Sequence, residues 1–317
     1  NRTLYAKWVE SKAVVAKIII EGNGGSIYGA DRYVMNLRDK QSIIEPRRER
    51  EGYKFSKWTT IDGADFTFPE ICDFEGEITI RANWTPNTYY IVYHSNSNDD
   101  RVATQSMTYD VSKNILSNSW TYEGYTFNNW STDKNGSGTT YNVGVPVKNL
   151  TSVDSGVVDL YAKWTGKTIT INFSGNGATS GGMNSRTYTY GNSETLPDRG
   201  YSKTNHTFSG WATSDNGEVK YLNRNDVDPI ILAESNPVTL YAKWVSLENE
   251  VTVVYNGNGG TINGETVVSR AVERGSTFVS VEAKRDGYRH TGYVDASGNA
   301  LTASTVINES IVAYARS

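Results

Sequence analysis

Apolar and polar side chains alternate along four stretches of this chain, so that every second residue is β-branched or aromatic. In the third stretch, Ile169, Ile171 and Phe173 alternate with Thr170 and Asn172. Because successive side chains of a β-strand point to opposite faces, this alternation predicts a strand with one face on a core. The other three stretches contain Ile18 and Ile20; Tyr89, Ile91 and Tyr93; and Val251, Val253 and Tyr255.

A turn rich in asparagine and small residues follows each of these strands. Three of the four turns begin Gly-Asn-Gly, and both residue types tolerate the positive φ angles of tight turns. The turns lie at 22–25, 95–98, 175–178 and 257–260. The second turn has Ser in place of Gly, so we expect it to be longer or looser than the other three.

A sequence that ends in tryptophan recurs with a period of about 80 residues. Leu-Tyr-Ala-Lys-Trp occurs at 4–8, 160–164 and 240–244, and residues 80–84 are a variant of it. Alternation places its Leu, Ala and Trp on the inner face of a strand, and its Tyr and Lys on the outer face. Such a period predicts a tandem array of similar units.

A second aromatic sequence, Gly-Tyr-x-Phe-x-x-Trp, lies in the middle of the units at 52–58 and 124–130, with altered copies at 205–211 and 287–293. Its Phe and Trp are three residues apart and would face opposite ways on a straight strand. We therefore expect a β-bulge or a turn between them. The predicted core residues of the two recurring sequences are Trp8, Phe55, Trp58, Trp84, Phe127, Trp130, Trp164, Phe208, Trp211 and Trp244.

The recurring sequences divide the chain into four units, called repeats 1 to 4 below. We place them at 9–84, 85–164, 165–244 and 245–317, and assign residues 1–8 to the tail of a preceding repeat. This tail indicates that the array is longer than this chain. The connections at 85–87, 165–167 and 245–250 are short, which favours a semi-rigid, elongated array. Helical periodicity is scarce, and only 226–233 suggests a helical turn.

Repeat 4 departs from the pattern. Tyr293 replaces the mid-repeat Trp, His290 replaces the Phe, and Ser317 stands at the position of the closing Trp. These changes indicate that repeat 4 is degenerate, less stable or truncated at its last strand.

These sequences resemble the Listeria–Bacteroides repeat, also called the internalin B-type B repeat. The resemblance rests on residues 251–260, Pro46 or Pro197, residues 124–130 and the three Leu-Tyr-Ala-Lys-Trp copies. It implies a β-rich α+β fold of tandem β-grasp-like units of the ubiquitin/SUMO type. It also implies a secreted or wall-attached bacterial protein, whose repeats act as spacers and interaction modules and carry no catalytic residues.

Charge and cysteine content exclude several classes of partner and site. The formal net charge is −4 and no repeat is basic, so we expect no nucleic-acid partner. No apolar run is long enough to span a membrane, so we expect no direct membrane insertion. Cys72 is the single cysteine, which leaves no disulfide within the chain and favours a small, buried apolar role. We expect the protein to be a monomer.

Histidine is the residue type used most often in catalysis and in metal binding. His94, His206 and His290 fall in three different repeats, so no single repeat holds a multi-histidine site. His206 and His290 replace aromatic residues of the mid-repeat sequence, which favours a structural role for both. Oxygen-rich clusters at 133–137 and 226–228 lack the twelve-residue loop of a specific calcium site. We predict no catalytic residue, no metal site and no cofactor.

Outward-facing aromatic rings are the remaining candidates for binding. Tyr5, Tyr161 and Tyr241 point outward by alternation, where they can contact a partner or pack against a neighbouring repeat. Trp120 occurs in repeat 2, where repeat 1 has Arg48, and it is either a contact residue or a cap on the core. These four residues form the candidate contact surface.

Three functions are compatible with these observations. The first is a non-enzymatic stalk that displays a functional head on a bacterial cell surface or secreted protein. The second is an adhesive array that contacts a host protein or glycan, which requires a contiguous exposed aromatic patch. The third is an accessory module of a secreted carbohydrate-active enzyme.

Overall fold

The computed structural model describes residues 13–317, which form two compact units. One unit contains the described residues up to Thr121 together with Phe127–Trp164, and the other contains Tyr122–Thr126 and Thr165–Ser317. Two residues of the sequence predictions, Tyr5 and Trp8, lie outside the described residues.

Strands account for all but one of the regular elements in residues 13–317. Repeat 1 contains β1 (Val14–Glu21), β2 (Ser26–Ile27), β3 (Arg32–Arg38), β4 (Arg48–Glu49), β5 (Tyr53–Thr60), β6 (Asp65–Phe66) and β7 (Gly76–Pro86). Repeat 2 contains β8 (Thr88–His94), β9 (Val102–Thr108), β10 (Lys113–Asn114), β11 (Tyr125–Ser131), β12 (Thr140–Tyr141), β13 (Pro146–Val147) and β14 (Val157–Gly166).

The second half of the chain follows the same plan. Repeat 3 contains β15 (Thr168–Ser174), β16 (Ser180–Gly181), β17 (Arg186–Thr189), β18 (Tyr201–Ser202), β19 (His206–Ala212), helix α1 (Asp228–Ala233) and β20 (Val238–Ser246). Repeat 4 contains β21 (Glu250–Asn256), β22 (Val267–Glu273), β23 (Ser276–Thr277), β24 (Gly292–Val294), β25 (Ala300–Leu301), β26 (Val306–Ile307) and β27 (Ile311–Arg316). The predicted helical turn is confirmed as α1, which has a Pro in its first turn.

The first and the last strand of every repeat are parallel neighbours at the centre of its sheet. An antiparallel strand, called the hairpin strand below (β3, β9, β17 or β22), pairs with the first strand, and the mid-repeat strand lies on the other side of the last strand. The orders are β3-β1-β7-β5-β6, β9-β8-β14-β11-β12, β17-β15-β20-β19 and β22-β21-β27-β24-β25. Repeat 4 therefore has a last strand in the same place as the other repeats.

Each sheet covers a hydrophobic core of its own with one face. The alternating residues of the opening strands are buried as predicted, for example Ile18 and Ile20 in repeat 1 and Ile169 and Ile171 in repeat 3. The mid-repeat aromatic residues Trp58, Trp130, Trp211 and Tyr293 are also buried. These rings supply a large part of the apolar area that a unit of this size needs for stability.

The β-bulge expected between the mid-repeat Phe and Trp is confirmed in repeats 1 and 3. The register against the last strand shifts between Phe55 and Lys57 in β5, and between Phe208 and Gly210 in β19. An extra residue at this point turns the next side chain to the opposite face. Both rings therefore face the core, and the ring centroids of Phe55 and Trp58 are 4.9 Å apart.

The structure corrects two sequence predictions about loops. The second turn is shorter than its counterparts, because Ser95 N donates to Arg101 O, whereas Gly22 N donates to Asp31 O. The Ser97 hydroxyl donates to the Asp99 carboxylate inside this short loop. The first two connections are also shorter than predicted, since β7 ends at Pro86 and β14 at Gly166, and a single residue precedes the next strand.

Candidate functional site

Each described closing tryptophan is tied to the turn at the end of its own repeat's opening strand. Trp84 Nε1 donates to the Gly22 carbonyl oxygen over 2.8 Å. Trp164 and Trp244 make the same bond, at 2.8 and 3.0 Å, to the carbonyl oxygens of Ser95 and Gly175. The three rings are half-buried and pack on the cores. The closing Trp therefore fixes the turn against the last strand, which is a role in folding.

The turn asparagine makes a second bond between the same two segments. Asn23 has a φ of 50°, and its Nδ2 donates to Ala82 O over 2.9 Å. The equivalent pairs, each at 3.0 Å, are Asn96 with Ala162, Asn176 with Ala242, and Asn258 with Ala315. Asparagine is suited to both tasks, because it tolerates positive φ and carries an amide donor. The bond explains why the turn Asn and the closing Ala recur together.

The mid-repeat tryptophans differ in how their indole N–H groups are satisfied. Trp58 Nε1 donates to the Glu45 carboxylate over 2.7 Å, and Trp130 Nε1 donates to Leu116 O over 2.9 Å. Trp211 Nε1 is buried and has no hydrogen-bond partner among the described residues. All three rings face the core of their own repeat, and they do not line a common cleft.

Trp120, a member of the candidate contact surface, lies against the core of repeat 2. Its ring is edge-on to Trp130, with centroids 5.8 Å apart. Its backbone is held by Asn118, whose amide bonds both the N–H and the carbonyl of Trp120. The residue is half-buried. This placement supports the interpretation of Trp120 as a cap on the core.

The outward tyrosines of the closing strands are half-buried. The Tyr161 ring stacks on His94, with centroids 4.6 Å apart and an interplanar angle of 16°. His94 Nε2 lies 2.7 Å from the Asp159 carboxylate, so His94 is not an isolated surface residue. Tyr241 lies in β20 opposite Ala212. Trp120 and Tyr161 are on different elements, and no direct contact joins these two residues among the contacts described.

Among residues 13–317, the most exposed tyrosines are not among the predicted contact residues. Tyr28 and Tyr288 are 56% and 57% exposed, and Tyr33 is 37% exposed. The Tyr28 and Tyr33 rings lie edge-to-face, with centroids 5.1 Å apart. A signal for Tyr28 was present in the sequence: repeat 1 has Tyr-Gly at 28–29, where repeat 4 has the common turn sequence Asn-Gly at 263–264.

The cysteine and the aspartates considered for redox or metal chemistry contact other groups of the fold. Within residues 13–317, no group of three or more His, Cys, Asp and Glu side chains is placed to hold a metal ion. Cys72 is fully buried, with its thiol 3.6 Å from Phe74 O. Asp226 pairs with Lys284, and Asp133 accepts from Asn135 N within its own turn.

The junction inside the first unit joins the end of repeat 1 to the start of repeat 2. Asn87 N donates to Gly52 O, and Tyr109 N donates to Asn87 O, over 2.8 and 2.9 Å. The Tyr53 ring lies edge-on to Tyr109, and its hydroxyl donates to the Asp110 carboxylate over 2.7 Å. Hydrogen bonds from the Asn149 amide and from Tyr53 lower the pKa of Asp110.

The second unit contains the same two backbone bonds and the same pair of tyrosine rings. Lys167 N donates to Gly124 O, and Tyr190 N donates to Lys167 O, both over 2.8 Å. Tyr125 and Tyr190 are edge-to-face, with centroids 5.2 Å apart. A Cβ at Gly124 would lie 2.2 Å from the Tyr190 ring, so the glycine is required by this close approach.

Repeats 3 and 4, within the second unit, keep one of these bonds and add another. Leu247 N donates to Asn205 O, which is equivalent to the bond from Asn87 N to Gly52 O, and the Ser209 hydroxyl donates to Ala271 O across the junction. A cavity of about 290 Å³ lies beside it, lined partly by Lys220 and Lys284. Both lysines are paired with carboxylates, so the cavity has no unpaired lysine that would favour an anion.

A comparison with protein families gives three consecutive matches. The family described as the Listeria-Bacteroides repeat domain matches residues 17–85, 89–163 and 170–243. Each match contains one mid-repeat sequence and the main part of one opening and one closing strand. The resemblance drawn from the recurring sequences is therefore confirmed.

Two relatives come from the bacterium Evansella cellulosilytica. One, named "Putative Gly-rich membrane protein", is 29% identical over 256 residues, which cover 77% of this chain and 27% of that protein. The other, named "Putative membrane protein", is 30% identical over 172 residues, 51% of this chain and 23% of that protein. The chain thus spans about a quarter of the length of these relatives. No helix within residues 13–317 has the length and apolar character needed to cross a membrane.

Proposed function

Since this chain belongs to the Listeria-Bacteroides repeat domain family, we propose that its repeats form a non-enzymatic spacer in a bacterial surface or secreted protein. The spacer holds another domain of the same protein away from the surface. The observation that carries this proposal is the recurrence of one set of junction contacts, at Gly52 and Tyr109 in the first unit and at Gly124 and Tyr190 in the second.

A spacer needs neighbouring repeats that keep their relative orientation, and the junction of repeats 1 and 2 is suited to that task. Its connecting residue, Asn87, is bonded through its backbone on both sides, so little freedom is left in this connection. A side-chain ion pair between Lys54 and Asp154 adds to the first junction, and it lowers the pKa of Asp154. Successive domains without such contacts usually move independently.

We propose the repeat boundaries 9–84, 85–164, 165–244 and 245–317, and a β-grasp-like arrangement within each repeat. The parallel pair of first and last strands at the sheet centre, flanked by the hairpin strand and the mid-repeat strand, supports this arrangement. The helix that a β-grasp fold carries after its second strand is replaced by extended chain, and α1 of repeat 3 follows the mid-repeat strand instead.

The absence of catalysis and the extracellular location belong to the same proposal. The side chains that recur once per repeat are engaged in bonds that hold each repeat together, such as those of Trp84 and Asn23. The names of the two bacterial relatives support a location at the cell envelope. We propose that the protein is a monomer that binds no cofactor and no nucleic acid.

The spacer role is tested by deleting or replacing two repeats in the full-length protein, expressed in the bacterium that produces it. Residues 85–244 are deleted, or replaced by two unrelated folded β-domains of similar length. The readout is the capture of cells by antibody-coated beads that recognise a tag on the outermost domain. A spacer predicts that deletion reduces capture and that the unrelated domains restore it.

A second candidate, the adhesive array, is favoured by the exposed pair Tyr28 and Tyr33. It predicts attachment of cells to a surface coated with host protein or glycan, and loss of this attachment when the repeats are replaced by unrelated domains. Restored bead capture with unchanged attachment supports the spacer alone. Failure of folded replacement domains to restore capture would show that the repeats do more than set distance.

A further inference from the structure

The turn at Ile27–Ala30 of repeat 1 holds a tyrosine in a conformation that tyrosine disfavours. Ile27 and Ala30 exchange two backbone hydrogen bonds, of 2.7 and 3.1 Å, across the two-residue loop Tyr28-Gly29. The φ angles are 50° at Tyr28 and 85° at Gly29. Positive φ at both central residues defines a type I′ turn, for which Asn-Gly is the preferred sequence. A bulky aromatic residue at this φ is strained.

Repeat 4 shows the same turn with the preferred residue. Ile262 and Glu265 exchange the two equivalent bonds, and Asn263 and Gly264 have φ angles of 51° and 83°. The residue before the turn pairs with Glu49 in repeat 1 and with Lys284 in repeat 4. Each partner lies three residues before the mid-repeat Gly, so the two turns lie at the same position in their repeats. The backbone of repeat 1 therefore does not need tyrosine at this position.

Packing does not account for Tyr28 either. The residue is 56% exposed and lies outside the core of repeat 1. Its ring meets Tyr33, which is 37% exposed, edge-to-face at 5.1 Å. Strained residues cluster at functional sites, so the strain at Tyr28 points to a use for its exposed side chain.

The chemistry around the ring indicates what it binds. Tyr28 and Gly29 line a cavity of about 320 Å³ together with Arg47 and Glu49. Arg47 Nη2 and the Glu49 carboxylate are 3.1 Å apart, and both side chains are largely exposed. The site thus combines the aromatic face of Tyr28 with the guanidinium donors of Arg47 and the carboxylate acceptors of Glu49. The charges of Arg47 and Glu49 offset each other.

We infer that Tyr28, Arg47 and Glu49, with Tyr33 packed against the Tyr28 ring, form a binding subsite for a neutral hexose unit of a glycan. The C–H face of a sugar ring packs on an aromatic ring, and its hydroxyl groups accept from guanidinium and donate to carboxylate. A neutral ligand is favoured because the single Arg and the single Glu are paired. The cavity volume is at the lower end of the range for small-molecule sites, which fits one or two sugar rings.

A protein partner is less favoured by the same observations. A stable protein interface buries about 800 Å² on each partner and has an apolar centre. The cavity here is bounded by two charged side chains, Arg47 and Glu49, and one aromatic ring from the turn. This inference goes beyond the spacer role, which stands or falls independently of it.

The substitution Tyr28→Asn separates a functional role of the ring from a structural one. It restores the turn sequence of repeat 4, so it is expected to raise the melting temperature by roughly 2–6 °C. Binding is measured with the full chain by affinity electrophoresis in gels that contain β-glucan, α-mannan or glycol chitin. Tetrasaccharides of the retarding polymer are then titrated by calorimetry. The expected result is retardation in at least one gel and a loss of affinity of at least tenfold in Tyr28→Asn.

Two further variants sharpen the test. Arg47→Gln removes the guanidinium fork and is expected to weaken binding at least threefold. Tyr288→Ala removes an equally exposed tyrosine of repeat 4 and is the matched control, with binding unchanged. The inference is overturned if none of the three polysaccharides retards the chain, if Tyr28→Asn binds like the parent chain, or if Tyr28→Asn lowers the melting temperature. Tyrosine-dependent binding to an immobilised deglycosylated protein, without retardation by polysaccharide, would also overturn it.

Discussion

Replacement of Gly52 by alanine tests the junction within the first unit. Gly52 has a φ of 74°, and a Cβ added there would lie 2.3 Å from the Tyr109 ring of the next repeat. Gly287 occupies the same position in repeat 4, with a φ of 76° and no atom within 4 Å of an added Cβ. The variants Gly52→Ala and Gly287→Ala therefore share backbone strain and differ in the contact with a neighbour.

The two costs are expected to differ by more than the error of a stability measurement. A left-handed conformation costs an alanine about 1–2 kcal/mol, which is the whole expected effect of Gly287→Ala. Gly52→Ala carries the same cost, and an overpacked contact adds about 1–3 kcal/mol as the Tyr109 ring is displaced. The total for Gly52→Ala is then about 2–5 kcal/mol.

Urea unfolding gives the global cost, and amide hydrogen exchange locates it. The amides of Asn87 and Tyr109 bond across the junction, so their exchange should accelerate in Gly52→Ala. In Gly287→Ala the same two amides should exchange as in the parent chain. Equal costs for the two variants, or unchanged exchange at Asn87 and Tyr109 in Gly52→Ala, would refute the claim that this glycine is required by the neighbouring repeat.

Three further outcomes are expected. Trp84→Phe removes the indole N–H that donates to the Gly22 carbonyl oxygen. Urea unfolding should show that repeat 1 is less stable by about 1–2 kcal/mol, and NMR should show an unchanged strand order. Asn176→Ala removes the hydrogen bond from the side-chain amide to Ala242 O and places alanine at a positive φ. In the same assay it should lower the free energy of unfolding by about 2–3 kcal/mol, and Asn176→Gly should recover about 1–2 kcal/mol of this loss. A hydrogen bond from Arg224 lowers the pKa of Asp198 to about 2. The pair therefore stabilises the fold above the unfolded pKa near 4 and loses this effect as pH falls through about 2. Asp198→Asn should flatten thermal stability between these values, and an unchanged pH profile would exclude the pair as its source.

Local patterns were sufficient to predict the opening, mid-repeat and closing strands and the residues of the glycine-rich turns. The burial of Ile169 and Ile171 follows from alternation, and the bulge in β5 follows from the three-residue spacing of Phe55 and Trp58. The candidate contact surface was less accessible, because exposure depends on what the rest of the chain covers. Trp120 and Tyr161 are half-buried by Trp130 and His94, neither of which is adjacent in sequence.

The loop predictions show where local chemistry is insufficient. Serine in place of glycine at residue 95 suggested a longer or looser turn, yet the loop is shorter, and the hydroxyls of Ser95 and Ser97 donate to the Asp99 carboxylate within it. Tyr28 is the reverse case, since the turn type is set by Gly29 and the surrounding strands, which force a positive φ on a residue that disfavours it. Only the comparison of two folded turns reveals this conflict.

The sequence by itself determined the period of the array, the inner and outer faces of its strands and the residues that enter tight turns. These properties depend on φ preferences and side-chain alternation over a few residues. The tertiary structure alone decided which polar atoms meet: Asn23 bonds to Ala82, 59 residues away, and Gly52 receives Tyr109 from the next repeat. Such partners are fixed by which segments the folded chain brings together. The sequence shows that a residue has a hydrogen-bond donor, but it does not show which distant acceptor the donor will meet.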